Sequence, residues 1–319
     1  MGKKSRVHHP GQGRGNTKSS TSKETKPVIS VVIPCYNSEK TMEACLSSLI
    51  SQQVDVPYEI IVVDSSRDAT PTIIREKFPA VKLIHLEQQT YPGAGRNIGA
   101  QEAQGEILAF IDSDCVAKEN WLQRGKIALQ EKYSIVGGSV RNGNPGLISW
   151  PDYFLTFNEF MPSMPTREVG FMPTCNFMIA KKVFEEVGGF REDLLAGEDT
   201  LFCYAAGRKY QLLFEPAMLI AHTNRETFKD FFRHHRTFGH HSALVRKTAD
   251  LSGKSLARYP FLALTAPLVR SARITGRMIR YNRTSLRPFL LSSPLIVMGT
   301  IAWSYGFIKE ALKGNTSVI

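Results

Sequence analysis

The chain has 319 residues, of which 42% are hydrophobic and 22% charged, a composition typical of a globular protein with a sizeable core. Its net charge of +11 is unevenly distributed. Residues 1–26 carry seven Lys and Arg against one acidic residue, and residues 222–319 carry sixteen against four, so the middle of the chain is acidic. This division argues against a uniformly basic nucleic-acid-binding protein and favours an anionic surface as the partner of the two ends.

The first 26 residues are rich in Lys, Gly, Ser, Thr and His and contain no apolar run. They are therefore predicted to be a disordered basic arm and not a secretory signal. The five cysteines have neither the spacing of metal ligands nor that of a redox pair. This pattern favours a reducing compartment.

Short β-branched runs alternate with helical patterns through the first half of the chain. Strands are predicted at 28–34, 58–64, 81–86 and 106–112, and helices at 38–52, 68–78, 96–104 and 118–131. The alternation predicts an α/β fold with a Rossmann-like, mostly parallel central sheet flanked by helices. Beyond it, 141–175 is predicted to be an irregular substrate-facing region, 171–180 and 211–216 to be strands, and 198–209 a helix.

Polar side chains follow three of the predicted strands. They are Asn37, Asp64 and the pair Asp112 and Asp114 of the run FIDSDC. In such sheets, ligands bind beyond the carboxyl ends of the strands. We therefore expect these side chains to meet at one edge of the sheet and to form a binding site there.

The Asp-Ser-Asp run is the sharpest chemical signal. Carboxylates at i and i+2 can hold a hard divalent cation such as Mg²⁺ or Mn²⁺, which offsets the charge on a departing diphosphate. Alone, the pair is more often a solvated turn, but its place after a buried strand favours the functional interpretation. Asp64 is interpreted as a hydrogen-bond acceptor for a nucleobase, with a strand-end turn or helix cap as the alternative.

Three further groups are candidates with open alternatives. Glu198 and Asp199 fit a general base for an acceptor hydroxyl and, equally, acidic residues that favour a helix N-terminus. His222 fits an ordinary satisfied histidine or a third contact to metal or diphosphate. In the run FFRHHRTFGHH, Arg233 and Arg236 are interpreted as contacts to a diphosphate or lipid phosphate, in preference to a zinc site.

The C-terminal tail combines a basic stripe with an apolar segment. Arginines recur every three or four residues at Arg270, Arg273, Arg277, Arg280, Arg283 and Arg287, and 288–308 carries no formal charge. The segment is about long enough to cross a hydrocarbon core. The tail is therefore predicted to contact anionic membrane lipids, peripherally or as a single span. If 288–308 spans, the positive-inside rule places the rest of the chain at the cytoplasmic face of the cell inner membrane.

Four runs in chain order resemble glycosyltransferase family 2, the inverting nucleotide-diphospho-sugar transferases with the fold called GT-A. They are VISVVIPCYNSEKTMEACLSSLISQ, EIIVVDSSRDAT, GAGRNIGAQEAQGEILAFIDSDC and VGGFREDLLAGEDTLFCYAAGRKY. The resemblance covers about two thirds of the chain, from Val28 to Gly239. It implies a GT-A catalytic domain at 27–240, after the arm at 1–26, and a helical tail at 241–319.

The resemblance also implies roles for matching residues. On the donor side, a nucleoside pocket would be lined by Pro34, Tyr36, Asn37 and Asp64, and Arg96 would contact the donor or brace its loop. Asp112 would lie near the ribose and the metal, and Asp114 would ligate the metal. On the acceptor side, Asp199 would be the base, and Glu198 would orient Asp199 or the acceptor. Ser65 and Cys115 stand where the family often has Asp. The run RHHRTFG replaces the Q-x-x-R-W of processive synthases, which favours addition of a single sugar.

The predicted function is metal-dependent, inverting transfer of a sugar from a nucleotide-diphospho-sugar to the hydroxyl of a saccharide or lipid-linked acceptor, in polysaccharide, glycolipid or related glycoconjugate synthesis. The main alternative is a membrane-tethered protein that binds nucleotide-sugar without catalysis. A sugar-phosphate nucleotidyltransferase is disfavoured, because PCYNSEK stands where such enzymes have a Gly-rich signature. No nucleic-acid partner is expected.

Overall fold

A computed structural model describes residues 1–2, 26–129 and 132–313. The predicted disordered arm lies outside the described residues over 3–25. The described strands are β1 Ile29–Cys35, β2 Tyr58–Asp64, β3 Lys82–His85, β4 Ile107–Ile111, β5 Cys115–Ala117, β6 Ile135–Asn142, β7 Arg167–Val169, β8 Asn176–Ala180 and β9 Leu212–His222. They form one sheet in the order β3-β2-β1-β4-β8-β6-β9-β5, with β7 paired to β9.

The described helices cover both faces of this sheet and form the tail. They are α1 Met42–Ile50, α2 Thr70–Lys77, α3 Pro92–Glu102, α4 Trp121–Ala128, α5 Ser149–Phe157, α6 Lys181–Val187, α7 Glu198–Ala206, α8 Phe228–Thr248, α9 Lys254–Arg258, α10 Ala266–Tyr281 and α11 Leu286–Ala311. Two 3₁₀ turns, Pro260–Thr265 and Arg283–Ser285, flank α10. The α/β architecture predicted from the sequence is confirmed.

The sheet is mixed, which corrects the prediction of a mostly parallel sheet. Strands β3, β2, β1 and β4 are parallel neighbours, as the alternating pattern predicted. Strand β8 then runs antiparallel to both β4 and β6, and β5 runs antiparallel to β9. Strands β6 and β9 are again parallel neighbours, so it is β8, β5 and β7 that run against the direction of the first four strands.

The region 141–175 is more regular than its composition predicted. It contains helix α5, whose aromatic residues pack in the core; the ring centroids of Tyr153 and Phe154 are 5.4 Å apart. Asp152 on this helix is fully buried, where its Oδ2 accepts from the Arg225 backbone N–H at 3.0 Å and its Oδ1 lies 3.0 Å from His235 Nε2. This contact joins α5 to α8.

The tail packs on the rest of the chain through close contact between helices α8 and α11. A Cβ at Gly239 of α8 would come within 1.9 Å of the Trp303 carbonyl oxygen, and a Cβ at Gly306 of α11 within 2.0 Å of the Arg236 carbonyl oxygen. Only glycine permits backbones this close. Because α8 continues through residue 240, the division into domains there falls inside one helix and stays a prediction.

Helix α11 contains the apolar segment 288–308. Among the described residues, the helical stretch Arg283–Ala311 is the one long and apolar enough to cross a membrane by length and composition, and 44% of its most apolar window is buried in the chain. Trp303 and Phe307 face the interior, whereas Leu290, Leu291 and Ile301 are more than half exposed. The helix therefore has one face on the protein and one apolar face outside.

We expect Gly306→Ala to destabilise the packing of α11 on α8. The added methyl group meets backbone and not a movable side chain, so the cost should reach at least the roughly 1–3 kcal/mol of overpacking. The matched control is Gly276→Ala on α10, where a Cβ meets nothing within 4 Å. Thermal unfolding should show a lower Tm for the first variant and an unchanged or higher one for the control, since Ala favours helix. Equal Tm values would contradict the packing.

Candidate active site

The carboxyl ends of β1, β2 and β4 meet at one edge of the sheet, as predicted. Beyond this edge lies a cleft of about 1510 Å³. Its inner wall includes Arg96, Asp112, Asp114, Glu198, Asp199 and His222. Parallel pairing of β1 with β2 and β4 aligns these ends. Of the polar residues that follow the three strands, Asp112 and Asp114 line the cleft, whereas Asn37 and Asp64 are not among its lining residues.

Arg96 of α3 joins two walls of the cleft. Its Nη2 donates to Asp112 Oδ1 at 2.6 Å and its Nη1 to Glu198 Oε1 at 2.8 Å. The residue is 2% exposed. Although burial opposes the charge, the carboxylates of Asp112 and Glu198 raise the pKa of Arg96 above its usual value. The arginine therefore fixes the end of β4 against the start of α7.

Asp199 occupies the first turn of α7 beside Glu198. Gly197 precedes the helix with φ of +91°, a conformation that glycine adopts without strain. Loss of water around the carboxyl, and then the charge of Glu198, raise the pKa of Asp199 to about 7. Burial likewise raises the pKa of Glu198, against the opposing charge of Arg96. Asp199 is thus poised to exchange a proton near neutral pH.

Asp114, Cys115 and His222 form the described group that best fits a metal ion. One potential ligand atom from each lies within 4.8 Å of the others, and His222 Nε2 is 3.6 Å from Asp114 Oδ1. The Nδ1 atom of His222 is buried without a hydrogen-bond partner. Burial, and then its contact with Cys175, raise the pKa of the Cys115 thiol well above its usual value, so this thiol is a poor ligand. Carboxylate and imidazole together suit Mn²⁺ or Mg²⁺.

Asp112 is placed differently from Asp114. One of its oxygens is held by Arg96, and Asp112 is not part of the described group of close ligand atoms. Its side chain is about one third exposed, which leaves the second oxygen open to the cleft. A role of Asp112 at the ribose and the metal stays a prediction.

The ends of β2 and β3 are joined by a contact that the sequence did not predict. Asp64 is fully buried; its Oδ2 lies 2.6 Å from His85 Nδ1, and its Oδ1 accepts from the Ser66 backbone N–H at 3.1 Å. Asp64 and His85 are register partners on β2 and β3. The position of His85 at the end of the third strand was the available signal. With both oxygens engaged, direct reading of a base by Asp64 stays a prediction.

The remaining predicted nucleoside residues lie at the end of β1. Pro34 packs against α3 at Gly95: a Cβ added to this glycine would lie 3.1 Å from Pro34 Cβ. Tyr36 is 40% exposed. Asn37 has φ of 52° and accepts from the Arg67 backbone N–H through Oδ1 at 3.0 Å. These contacts fix a turn at the sheet edge that leaves Tyr36 open to solvent.

The lining of the cleft bears on two predictions about basic residues. Arg233 and Arg236 are both exposed on α8, and Arg233 is among the lining residues whereas Arg236 is not; a phosphate contact of either residue stays a prediction. The tail arginines were predicted to face lipid, yet Arg270, Arg273 and Arg277 line the same cleft. Their orientation depends on how α10 packs, which periodicity alone does not give.

Comparison with known proteins identifies the family. The family model described as glycosyl transferase family 2 matches residues 30–188. The chain is 30% identical to the glycosyltransferase AglE of Haloferax volcanii over 66% of its own length and 72% of AglE. The chain belongs to glycosyl transferase family 2. The glycosyltransferase activity and the GT-A fold expected from the sequence motifs are therefore confirmed.

Two other similarities are more distant. The pre-mycofactocin glycosyltransferase of Mycobacterium tuberculosis is 26% identical over 79% of this chain and 57% of its own length, so the chain spans little more than half of that relative. The mannosyltransferase PcManGT of Pyrobaculum calidifontis, solved with GDP-Man and Mn²⁺, has a TM-score of 0.61 at 17% identity, over 92% of this chain and 89% of its own. This likeness supports the GT-A fold.

We expect His222→Ala to weaken Mn²⁺ binding by about tenfold or more, because removing one of few ligands leaves Asp114 without its imidazole partner. Cys115→Ala is the matched control, since its protonated thiol should contribute little. Isothermal titration of Mn²⁺ into the two variants and the wild type would measure the difference. Equal affinity in all three would exclude His222 as a ligand.

Proposed function

We propose that this family 2 glycosyltransferase transfers a single sugar, with inversion, from a nucleotide-diphospho-sugar to an acceptor hydroxyl in glycoconjugate or polysaccharide synthesis. One observation carries the proposal. A carboxyl group with its pKa raised to about 7, Asp199, lines the same cleft as the Asp114–His222 pair. A proton acceptor and a potential metal site on opposite sides of a reacting carbon are what single displacement requires.

The donor would lie with its nucleoside at the ends of β1 and β2 and its diphosphate at Asp114. When bound there, Mg²⁺ or Mn²⁺ would offset the negative charge that grows on the departing diphosphate. Arg225 and His234 line this part of the cleft. Arg225 can add positive charge beside the leaving group.

Asp199 would take the proton of the acceptor hydroxyl as that oxygen attacks the anomeric carbon. The bond from oxygen to carbon forms as the bond from carbon to the phosphate oxygen breaks, on the opposite face, so the configuration inverts. Glu198 is held by Arg96 at 2.8 Å. It therefore acts as a positioning residue, whose negative charge helps to keep the pKa of Asp199 high.

The rival function, nucleotide-sugar binding without catalysis, gives no reason for an acidic group of raised pKa opposite a metal site. Groups with such perturbed pKa values concentrate at catalytic sites. The geometry therefore favours transfer over binding alone. The two functions differ in whether donor is consumed.

We also propose that the tail meets the surface of a membrane at the cytoplasmic face. Exposed apolar side chains cluster on the segments around α10 and on the outer face of α11, with Leu264 69%, Leu268 79% and Leu291 70% exposed. Arg280 and Arg283, both exposed, can reach anionic headgroups beside them. A peripheral contact uses this face without removing α11 from α8.

Asp199→Asn should abolish transfer, because an amide cannot accept the proton at neutral pH. In the wild type, kcat/KM should rise with pH through about 7 as Asp199 loses its proton, and then level off. Turnover of a panel of nucleotide-sugars, with matched acceptors and Mn²⁺, would measure both effects. Asp193→Asn, on an exposed carboxylate paired with Arg191, is the control and should keep the wild-type profile. Full activity of Asp199→Asn would overturn the mechanism.

Leu264→Gln with Leu268→Gln should reduce flotation of the full chain with anionic vesicles severalfold, since two exposed leucines would no longer enter the lipid interface. Leu147→Gln, at a residue 69% exposed before α5, is the matched control and should float like the wild type. Substitution is preferable to truncation, because removal of α10 and α11 would also remove a wall of the cleft. Unchanged flotation of the double variant would reject this face as the lipid contact.

A further inference from the structure

Three arginines in the outer part of the cleft have no acidic partner. Arg246 of α8 and Arg270 and Arg273 of α10 all line it. In the described part of the chain, none of them lies within salt-bridge distance of a carboxylate. Arg246 donates to the Ser242 carbonyl oxygen at 2.9 Å, and the Arg270 guanidinium stacks over the Trp303 ring at 4.4 Å. We call these three residues the arginine trio.

The trio concentrates positive charge. Burial, and then the nearby charge of Arg246, lower the pKa of Arg270 to about 10, so it remains charged at pH 7. The next arginine on the helix is different, because Arg277 Nη2 is paired with Glu159 Oε1 at 2.7 Å. Like charges held together without neutralisation cost free energy, and a bound anion would recover it.

One member of the trio lies beside the start of α7. Gly197, two residues before Asp199, is directly against α8, where a Cβ would come within 2.8 Å of Val245 Cγ1. Arg246 is the next residue after Val245, and its charge acts on Arg270. We therefore assign the trio to the acceptor side of the cleft.

A different arginine lies near the metal end. Arg225 follows His222 by three residues, lines the cleft, and has its Nη1 3.8 Å from Asp152 Oδ2. Arg225 therefore differs from the trio in having an acidic partner, and it can serve the proposed donor diphosphate while the trio forms a separate group.

We propose that the arginine trio binds a phosphate group carried by the acceptor. This inference rests on the proposed function, because it assigns the acceptor side of that site. Guanidinium groups match phosphate oxygens in bidentate geometry, and three of them suit a multiply charged group. The phosphate could belong to a polyprenyl-phosphate-linked acceptor or to a soluble phosphorylated saccharide. The binding chemistry is the same for both.

The test compares variants of the full chain by isothermal titration with farnesyl phosphate, farnesol and inorganic phosphate. Arg270→Gln with Arg273→Gln should weaken farnesyl phosphate binding by about tenfold or more, since charge-assisted hydrogen bonds are lost. Arg258→Gln, an exposed tail arginine outside the cleft lining, is the matched control. Equal affinity of the wild type, the double variant and the control would overturn the inference.

The three probes separate the possible sources of the anion. Farnesyl phosphate binding more tightly than inorganic phosphate would indicate a lipid-linked acceptor, and similar affinities a soluble one; both outcomes support the trio. Farnesol binding as tightly as farnesyl phosphate would overturn it. Binding that requires Mn²⁺ and survives the double substitution would place the probe at the donor end and would also overturn it.

Donor hydrolysis, with water as the acceptor, separates this inference from the proposed function. Arg258→Gln should hydrolyse nucleotide-sugar at the wild-type rate, and the double variant should lose farnesyl phosphate affinity by a larger factor than it loses hydrolysis, because the metal end and Asp199 are intact. A loss of hydrolysis as large as the loss of affinity would assign the trio to the donor and contradict the inference. Absence of hydrolysis in the wild type would count against the proposed function, and the phosphate titrations would still decide whether the trio binds an anion.

Discussion

The cleft depends on one buried cation, the guanidinium of Arg96. It holds Asp112 at 2.6 Å and Glu198 at 2.8 Å, which brings the end of β4 to the start of α7. Breaking a buried ion pair on one side leaves an uncompensated charge and costs about 3–5 kcal/mol. Here two carboxylates share the cation. The position of Asp199 relative to Asp114 therefore depends on Arg96, which contacts their neighbours Glu198 and Asp112 and neither of the two residues themselves.

The cleft brings together the acidic and the basic regions of the chain. The acidic middle of the chain supplies the sheet-edge carboxylates, and the basic C-terminal region supplies the opposite wall. Residues of both regions therefore line one cleft, whereas the sequence had assigned the basic C-terminal region to an anionic surface outside the protein. The proposed reaction uses residues of both charges, because carboxylates would hold the metal cation and arginines would bind the phosphate oxygens.

The sequence predicted what depends on local pattern. Strands β1, β2 and β4 are short apolar runs, so the placement of Asp64, Asp112 and Asp114 at their ends followed directly. The pairing of Asp64 with His85 depends on strand order, which periodicity does not give. For a related reason, the sequence did not predict that the basic face of α10 lines the cleft. The sequence of α10 shows that the helix is amphipathic, but the packing of α11 on α8 decides what its basic face contacts. Helix α5 was missed because Pro and Gly around it indicate loops.

In the proposed function, the tail has two roles that use different faces of the same helices. Gly239 and Gly306 let α11 approach α8 closely, so α11 stays on the protein while its apolar outer face remains exposed. A helix that left this position to span a membrane would uncover Trp303 and the Arg270 guanidinium stacked on it. Peripheral contact avoids that loss. The proposed peripheral contact would also place the outer end of the cleft beside the lipid surface, where an acceptor held in the interface could reach Asp199 without leaving it.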